Sequence, residues 1–127
     1  MRRPRLRTVL VALLVVVAAL GAGFAWYVQP QALLPEAAAS LASTPDVAFT
    51  NRDGLLEWAP ASGDYAVGLI VYPGAKVPPA AYGPLVQEIA AAGYLVVITP
   101  MPFNFAVFDI GAADKVMPLE SIPAEIV

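Results

Sequence analysis

The segment from Gly68 to Pro102 constrains the fold most, because it has the pattern of a strand, a tight turn, a helix and a second strand. Its sequence is GLIVYPGAKVPPAAYGPLVQEIAAAGYLVVITPMP. The apolar runs at 69–72 and 94–99 are rich in β-branched residues, as is typical of strands covered on both faces. The pattern predicts an α/β fold with a right-handed crossover.

The connection between the two strands carries start and stop signals for a helix. Pro84 suits the first turn, where an amide would lack an intrahelical partner in any case. Gly93 can take the left-handed conformation that often ends a helix. Apolar residues recur between them at helical spacing, namely Tyr82, Leu85, Val86, Ile89 and Ala90. In open sheets of this kind ligands bind at the carboxyl ends of strands, here at the turn Tyr72-Pro73-Gly74-Ala75.

A hairpin is predicted before the crossover unit. The segments 47–50 and 55–59 alternate in character and flank Asn51-Arg52-Asp53-Gly54. Asp-Gly between such segments is a strong hairpin signal, because glycine supplies the positive φ that the turn needs. Further along, a second helix is expected to begin near Gly111 and to run to Met117.

The N-terminal region predicts a single-pass membrane anchor. Thr8–Val28 carries no charge over 21 positions, which raises the hydrophobic fraction of the chain to 59%. About 20 apolar residues suffice for a helix to cross a bilayer. Trp26 and Tyr27 stand at one end, and the other end is preceded by Arg2, Arg3, Arg5 and Arg7. By the positive-inside rule the arginines are cytoplasmic and the chain after Val28 is extracytoplasmic.

A cleaved secretory signal is the alternative interpretation of the same residues. Basic residues followed by an apolar core also describe a signal peptide, and Gly21-Ala22-Gly23 offers small residues for cleavage. Both interpretations place the remainder of the chain outside the cytoplasm.

Three regions are therefore expected along the chain. Residues 1–28 form the cytoplasmic arginines and the anchor, and the membrane partner is contacted through residues 8–28. Residues 29–46, with prolines at 30, 35 and 45, form a linker. Residues 47–127 form the α/β domain.

Charge and composition exclude several classes of partner. After Arg7 the chain has three basic residues against ten acidic ones, a net formal charge of −7 that disfavours binding to nucleic acid. The chain has no cysteine, which excludes disulfides and thiolate metal sites. Asp109 and Asp114 lack further ligating partners nearby, so neither a metal nor a cofactor is expected. Lys76 is expected to be a solvated loop residue.

The stretch from Val71 to Met117 resembles the α/β-hydrolase family, in its dienelactone-hydrolase-like and often membrane-anchored bacterial branch. Four features carry the resemblance, which extends over about Val47 to Met117. They are Tyr-Pro-Gly after a buried strand, Ala-Tyr-x-Pro-Leu at a helix start, the strand Ala-Gly-Tyr-Leu-Val-Val-Ile, and Met-Pro-Phe-Asn. The resemblance implies a partial α/β-hydrolase sheet after the transmembrane helix, with the hairpin first and strand-helix-strand next.

The resemblance also implies a role for the first loop of the crossover unit. In this family the loop after the third strand supplies a backbone amide to the oxyanion hole, which stabilises negative charge on a tetrahedral intermediate. Gly74 and Ala75 match that loop and become candidate catalytic residues, with the Ala75 amide as the expected donor. The alternative is a plain Pro-Gly turn that joins strand to helix.

The chain departs from the family pattern at the catalytic groups. It contains no histidine and no Gly-x-Ser-x-Gly, and its serines, Ser40, Ser43, Ser62 and Ser121, lie outside any such elbow. The 127 residues alone are not expected to run the triad reaction. Phe103, Phe105 and Phe108 could line a pocket, but core packing or a surface bared by missing strands is favoured.

Two functions follow as hypotheses. The first is the N-terminal fragment of a membrane-anchored α/β hydrolase that acts on an ester or similar acyl bond of a small molecule. The second is a non-catalytic, membrane-tethered α/β binding module.

Overall fold

The computed structural model describes residues 6–29, 31–116 and 125–126, the last two as backbone only. Ser121 and Met117 lie outside this part of the chain, as do the arginines before Leu6.

The N-terminal apolar run is one helix, α1, Leu6–Tyr27. Its 22 residues have a mean hydropathy of 2.6, and no part of its most apolar window is buried. At 1.5 Å per residue such a helix measures about 33 Å, close to the thickness of a bilayer's hydrocarbon core. Length and composition are therefore those of a membrane-spanning helix or a signal sequence.

The sheet has five strands in the order β1-β2-β4-β3-β5. They are β1 Val47–Arg52, β2 Leu55–Pro60, β3 Val67–Val71, β4 Leu95–Ile98 and β5 Glu125–Ile126. The pairs β1–β2 and β2–β4 are antiparallel, whereas β3 pairs in parallel with β4 and with β5. The hairpin thus extends a parallel sheet on one side.

The turn of the hairpin is tighter than its sequence predicted. Only Asp53 and Gly54 lie outside the strands, with φ values of 52° and 89°. Two successive positive φ angles are the signature of a type I′ turn, whose twist matches that of the flanking strands. Asn51 and Arg52 were expected between the strands, but they belong to β1 and pair with Leu56 and Leu55 of β2.

The crossover has the predicted helix, entered through a short 3-10 turn at Pro79–Tyr82. The α-helix that crosses the sheet, α3, spans Gly83–Ala91, and Gly93 follows with a φ of +102°. The short helix α2, Pro35–Ala39, precedes the sheet. Helix α4, Ala112–Val116, lies within the helix predicted for residues 111–117.

The core lies between the sheet and α3. Trp58 is fully buried there and packs with β4 and α3; the cluster comprises Val47, Leu56, Trp58, Val86, Ala90, Val96 and Ile98. All four residues of β4 are buried, as expected for a strand covered on both faces. In contrast, Leu69, Ile70 and Val71 of β3 are only half-buried. Within the described residues, β5 pairs with Val67 and Gly68 alone, which leaves the outer edge beside 69–71 without a strand.

The second half of the predicted linker packs against the sheet and α3. Ala37 and Ser40 are buried, and the Trp58 indole N–H donates to the Ser40 carbonyl oxygen at 2.8 Å. Where the domain begins stays a prediction, but these contacts join residues 37–40 to the domain's core. The fold class is confirmed as an N-terminal apolar helix followed by a small mixed sheet with helices, consistent with a partial α/β-hydrolase fold.

Replacing Gly83 with alanine tests the packing of α2 against α3. A Cβ on Gly83 would lie 1.8 Å from Ser40 Oγ. Alanine normally favours a helix over glycine, so destabilisation would reveal the clash. We expect Gly83→Ala to lower the free energy of unfolding by about 1–3 kcal/mol in urea titrations followed by tryptophan fluorescence.

The matched control is Gly111→Ala, whose Cβ would meet only Asp114 Oδ2 at 3.6 Å and should change little. Adding Ser40→Gly to Gly83→Ala should recover part of the loss. A Gly83→Ala chain as stable as the parent would contradict the close approach of Gly83 and Ser40.

Candidate functional site

The parallel strands β3 and β4 end at the same edge of the sheet, called here the carboxyl edge. The loop that follows β3 and the segment 99–110 that follows β4 both leave from this edge. The Asp53-Gly54 turn lies there too, because β2 runs antiparallel to β4 and begins at Leu55. Topology therefore brings three separate loops together where α/β sheets bind ligands.

The loop after β3 is a hydrogen-bonded turn. The Val77 N–H donates to the Gly74 carbonyl oxygen at 3.1 Å, which leaves Ala75 and Lys76 as the two central residues. Lys76 has a φ of +64°, the left-handed conformation that the second central position of a type II turn requires. Glycine is the usual residue there, so the lysine is held by its surroundings.

Of the two candidate oxyanion amides, one is engaged within the protein. The Gly74 N–H donates to the Tyr82 hydroxyl at 2.8 Å. The Ala75 N–H has no hydrogen-bond partner among the described residues, and Ala75 is exposed. Ala75 can therefore donate to a ligand without breaking a bond, which Gly74 cannot. The catalytic role of either amide stays a prediction.

Ala75 borders a cavity of about 370 Å³. The cavity is lined on one side by the loop after β3 and on the other by the residues that follow α1 and by α2: Gln31, Ala32, Leu34, Ala37, Ala75, Lys76, Val77, Pro78 and Ala81. Its lining is mostly apolar, as is usual for sites that bind small molecules. The cavity thus places an apolar surface beside an unpaired amide.

The Tyr82 hydroxyl is a polar group of this loop that the sequence did not single out. Its helical spacing indicated a core residue, and its ring does pack against the core cluster. Its oxygen accepts the Gly74 N–H, so the hydroxyl proton remains available for donation, with no acceptor among the described residues. Tyr82 both fixes the loop and offers a second donor close to it.

A second connection holds the loop against the segment after β4. The Lys76 N–H donates to the Asn104 carbonyl oxygen at 2.9 Å. Asn104 and Phe103 have φ values of 57° and 54°. All four non-glycine residues with positive φ in the described part of the chain, Asp53, Lys76, Phe103 and Asn104, lie at the carboxyl edge. Asp53 takes this conformation as part of the type I′ hairpin turn, whereas Lys76, Phe103 and Asn104 support a function for the edge, because such conformations cluster at functional sites.

The Tyr72 side chain holds residues 110–113 beside the end of β3. Its hydroxyl donates to the Ile110 carbonyl oxygen at 2.9 Å and accepts the Ala113 N–H at 2.8 Å. These bonds span about 40 positions of sequence, so no local pattern could have predicted them. They hold the start of α4 at the carboxyl edge.

A larger cavity of about 670 Å³ lies at the same edge. It is bordered by the hairpin turn, the start of the segment after β4 and one face of α4. Lys115 and Asp109, both in its wall, form an ion pair at 2.5 Å. The Asp109 side chain is therefore half-buried and paired. This cavity does not include Ala75, so the smaller cavity is the candidate site.

The phenylalanines after β4 do not form a core. Phe103 and Phe108 are more than half exposed, and Phe105 is half-buried. Phe108 contacts both of the others edge to face, with ring centres 5.9–6.1 Å apart. Of the two favoured expectations, core packing is wrong for Phe103 and Phe108 and an exposed surface agrees with their positions, because the turns at 102–108 carry these rings over the surface. Lys76, expected to be solvated, instead places its Nζ 4.2 Å above the centre of the Tyr27 ring.

No described serine lies at the carboxyl edge. Ser40 donates to the Ala37 carbonyl oxygen, and Ser43 and Ser62 accept backbone amides near the opposite edge. Within the described residues there is also no group of three His, Cys, Asp or Glu side chains that could hold a metal ion. The candidate site therefore consists of hydrogen-bond donors and a mostly apolar lining.

Comparison with known proteins gives one match, to part of the chain. A sequence model described as the alpha/beta hydrolase family matches residues 68–125. That segment runs from β3 through the Ala75 loop, α3 and β4 to the first residue of β5, and the match supports the alpha/beta hydrolase superfamily for it. No curated protein and no solved structure gives a significant match.

Removing the Tyr82 hydroxyl tests how the loop is held. We expect Tyr82→Phe to speed hydrogen exchange at the Gly74 amide and to lower the free energy of unfolding by about 1 kcal/mol, because one hydrogen bond is lost. Both effects can be measured on the full chain in detergent micelles, by NMR and by urea titration.

Tyr94→Phe is the matched control, since the Tyr94 side chain is exposed and no bond from its hydroxyl holds the loop. Equal exchange rates of the Gly74 amide hydrogen in the parent and in Tyr82→Phe would contradict the hydrogen bond from Gly74 to Tyr82.

Proposed function

We propose that this chain supplies the N-terminal part of a membrane-anchored acyl hydrolase of the dienelactone-hydrolase-like branch, with Ala75 N–H as one oxyanion donor. The substrate would be an ester or similar acyl compound. The observation that carries the proposal is the unpaired Ala75 amide, held at the carboxyl edge within a segment that matches the alpha/beta hydrolase family.

For this chemistry the loop has only to hold one N–H in the correct position. Attack on an acyl carbon places negative charge on the former carbonyl oxygen, and a fixed N–H aimed at that oxygen stabilises the transition state. Fixation comes from the two neighbouring amides, because Gly74 is bonded to Tyr82 and Lys76 to Asn104. The Tyr82 hydroxyl proton is a candidate second donor to the same oxygen.

The position of β5 supports a nucleophile supplied beyond the 127 residues. β5 runs parallel to β3, with Ile126 opposite Gly68. In this register a residue about five positions beyond Ile126 would lie opposite Pro73, since paired parallel strands advance together. A serine on a strand-to-helix elbow there would lie beside the Ala75 loop, as the family mechanism requires.

The anchoring part of the proposal rests on α1. Its length and hydropathy suit a transmembrane helix, and the arginines before it favour a cytoplasmic N-terminus. The domain would then lie outside the cytoplasm, where it would also lie if α1 were a cleaved signal.

A membrane-tethered binding module is the second candidate function. It is favoured by the larger cavity of about 670 Å³, whose walls include Leu55, Met101, Ala112 and Val116 and which needs no catalytic group to hold an apolar ligand. The two functions differ in whether a nucleophile is present.

The proposal predicts reaction with a fluorophosphonate. The source DNA, including the sequence downstream of codon 127, is expressed with an N-terminal tag, and membranes are treated with a fluorescent fluorophosphonate. We expect the labelled band to be larger than the 13.3 kDa of the 127 residues plus the mass of the tag. A tagged product of only that combined mass, without label, would overturn the hydrolase and favour the binding module.

In the labelled product, Ala75→Pro removes the amide hydrogen and Ala75→Gly retains it. We expect Ala75→Pro to lower kcat for a p-nitrophenyl ester by about 10²–10³, the usual cost of one oxyanion donor. Ala75→Gly should stay near the parent, and equal kcat values in the two variants would exclude Ala75 as the donor.

A further inference from the structure

Four large apolar side chains at the carboxyl edge are directed into solvent. They are Phe103, Val107, Phe108 and Ile110, with exposed fractions of 57%, 67%, 55% and 76%. We call this group the edge patch. All four lie within eight residues of one another in the short turns after β4, and the rings of Phe103 and Phe108 contact each other.

The edge patch continues the apolar surface of α1. Phe24, in the last turn of α1, meets Phe103 edge to face, with ring centres 5.7 Å apart and an angle of 72°. At the same end, Lys76 Nζ lies 4.2 Å above the Tyr27 ring. These contacts bring the carboxyl edge to the end of α1 where the exposed Trp26 also lies. Aromatic residues at such positions favour the boundary between lipid and water.

The basic residues of the domain gather at the same edge, where acidic residues are present as well. Every basic residue after Arg7, namely Arg52, Lys76 and Lys115, lies at the carboxyl edge. Asp46 and Asp64 lie toward the opposite edge, near the end of β2. Asp53, Asp109 and Asp114 also lie at the carboxyl edge, where Lys115 is paired with Asp109 and Arg52 with Glu57, so Lys76 is the basic residue whose described contact is with an aromatic ring and not with a carboxylate. A basic side chain such as Lys76 beside exposed apolar side chains suits the boundary between phosphate headgroups and acyl chains.

We propose that the carboxyl edge docks on the lipid bilayer, with the edge patch inserted among the acyl chains and the three basic residues at headgroup level. The docking rests on the proposed anchoring of α1 and does not depend on hydrolase activity. The smaller cavity, whose lining includes Gln31 and Ala32 just after α1, then opens near the lipid boundary. For the proposed hydrolase, this arrangement indicates an acyl substrate that resides in the membrane.

The chain has no cysteine, so single cysteines can report on depth. Val107→Cys probes the patch, Val17→Cys the middle of α1, and Ser62→Cys the opposite edge. Each full-length variant is labelled with an environment-sensitive NBD dye and placed in nanodiscs of phosphatidylcholine and phosphatidylglycerol, with or without doxyl-labelled lipid. We expect labels at 17 and 107 to emit at shorter wavelength and to lose most of their emission to doxyl lipid, whereas the label at 62 should do neither.

The outcomes separate docking from anchoring. Quenching at 17 with a water-exposed label at 107 would overturn the docking and leave the anchor intact. A label at 17 that doxyl lipid does not quench would overturn the anchoring itself. A label at 107 shielded from both doxyl lipid and aqueous iodide would show that protein, such as a second copy, covers the patch, which also contradicts the proposal.

A double variant checks that the patch causes the docking. Phe103→Ser with Phe108→Ser should abolish the lipid quenching at 107 while quenching at 17 persists. Tyr94→Ser is the matched control, because Tyr94 is an exposed aromatic residue at the opposite edge. Unchanged quenching at 107 in the double variant would contradict a role for the phenylalanines.

Discussion

The parallel pairing of β3 with β4 is the constraint on which the remaining structure depends. Two adjacent parallel strands cannot be joined by a hairpin. The chain therefore crosses from β3 to β4 through α3, which packs on one face of the sheet. Because both strands then end at one edge, the loop around Ala75 meets the segment around Asn104. The Lys76–Asn104 bond follows from that meeting, and each of the two cavities borders one of the two segments.

Local signals in the sequence were enough to predict the elements of the domain. Asp53-Gly54 predicted the hairpin, and the apolar period between Pro84 and Gly93 predicted the crossover helix, because each depends on neighbours in the chain. The exposure of β3 was not predicted, since an apolar run does not show how far a partner strand extends. The linker's packing was missed for a similar reason: it depends on Trp58 reaching Ser40 across 18 positions.

The candidate site was predictable only in part. The Pro-Gly turn after a strand, together with the family resemblance, led to Gly74 and Ala75. Which of the two amides is unpaired depends on the Tyr82 hydroxyl, which a helical pattern cannot distinguish from a core contact. The left-handed conformation of Phe103 also carries no local signal, whereas asparagine adopts this conformation more readily than most residues. The place of both Phe103 and Asn104 at the site depends on the contact between the loop after β3 and the segment after β4, which are distant in the sequence.

The central claim is that the Ala75 amide is held in place yet unpaired, while both neighbours are bonded within the protein. Residue-resolved hydrogen exchange on the full chain in lipid nanodiscs tests this directly. The account predicts that Ala75 exchanges close to the rate of an unprotected amide, with Gly74 and Lys76 clearly slower. An Ala75 amide as protected as Gly74 and Lys76 would contradict it.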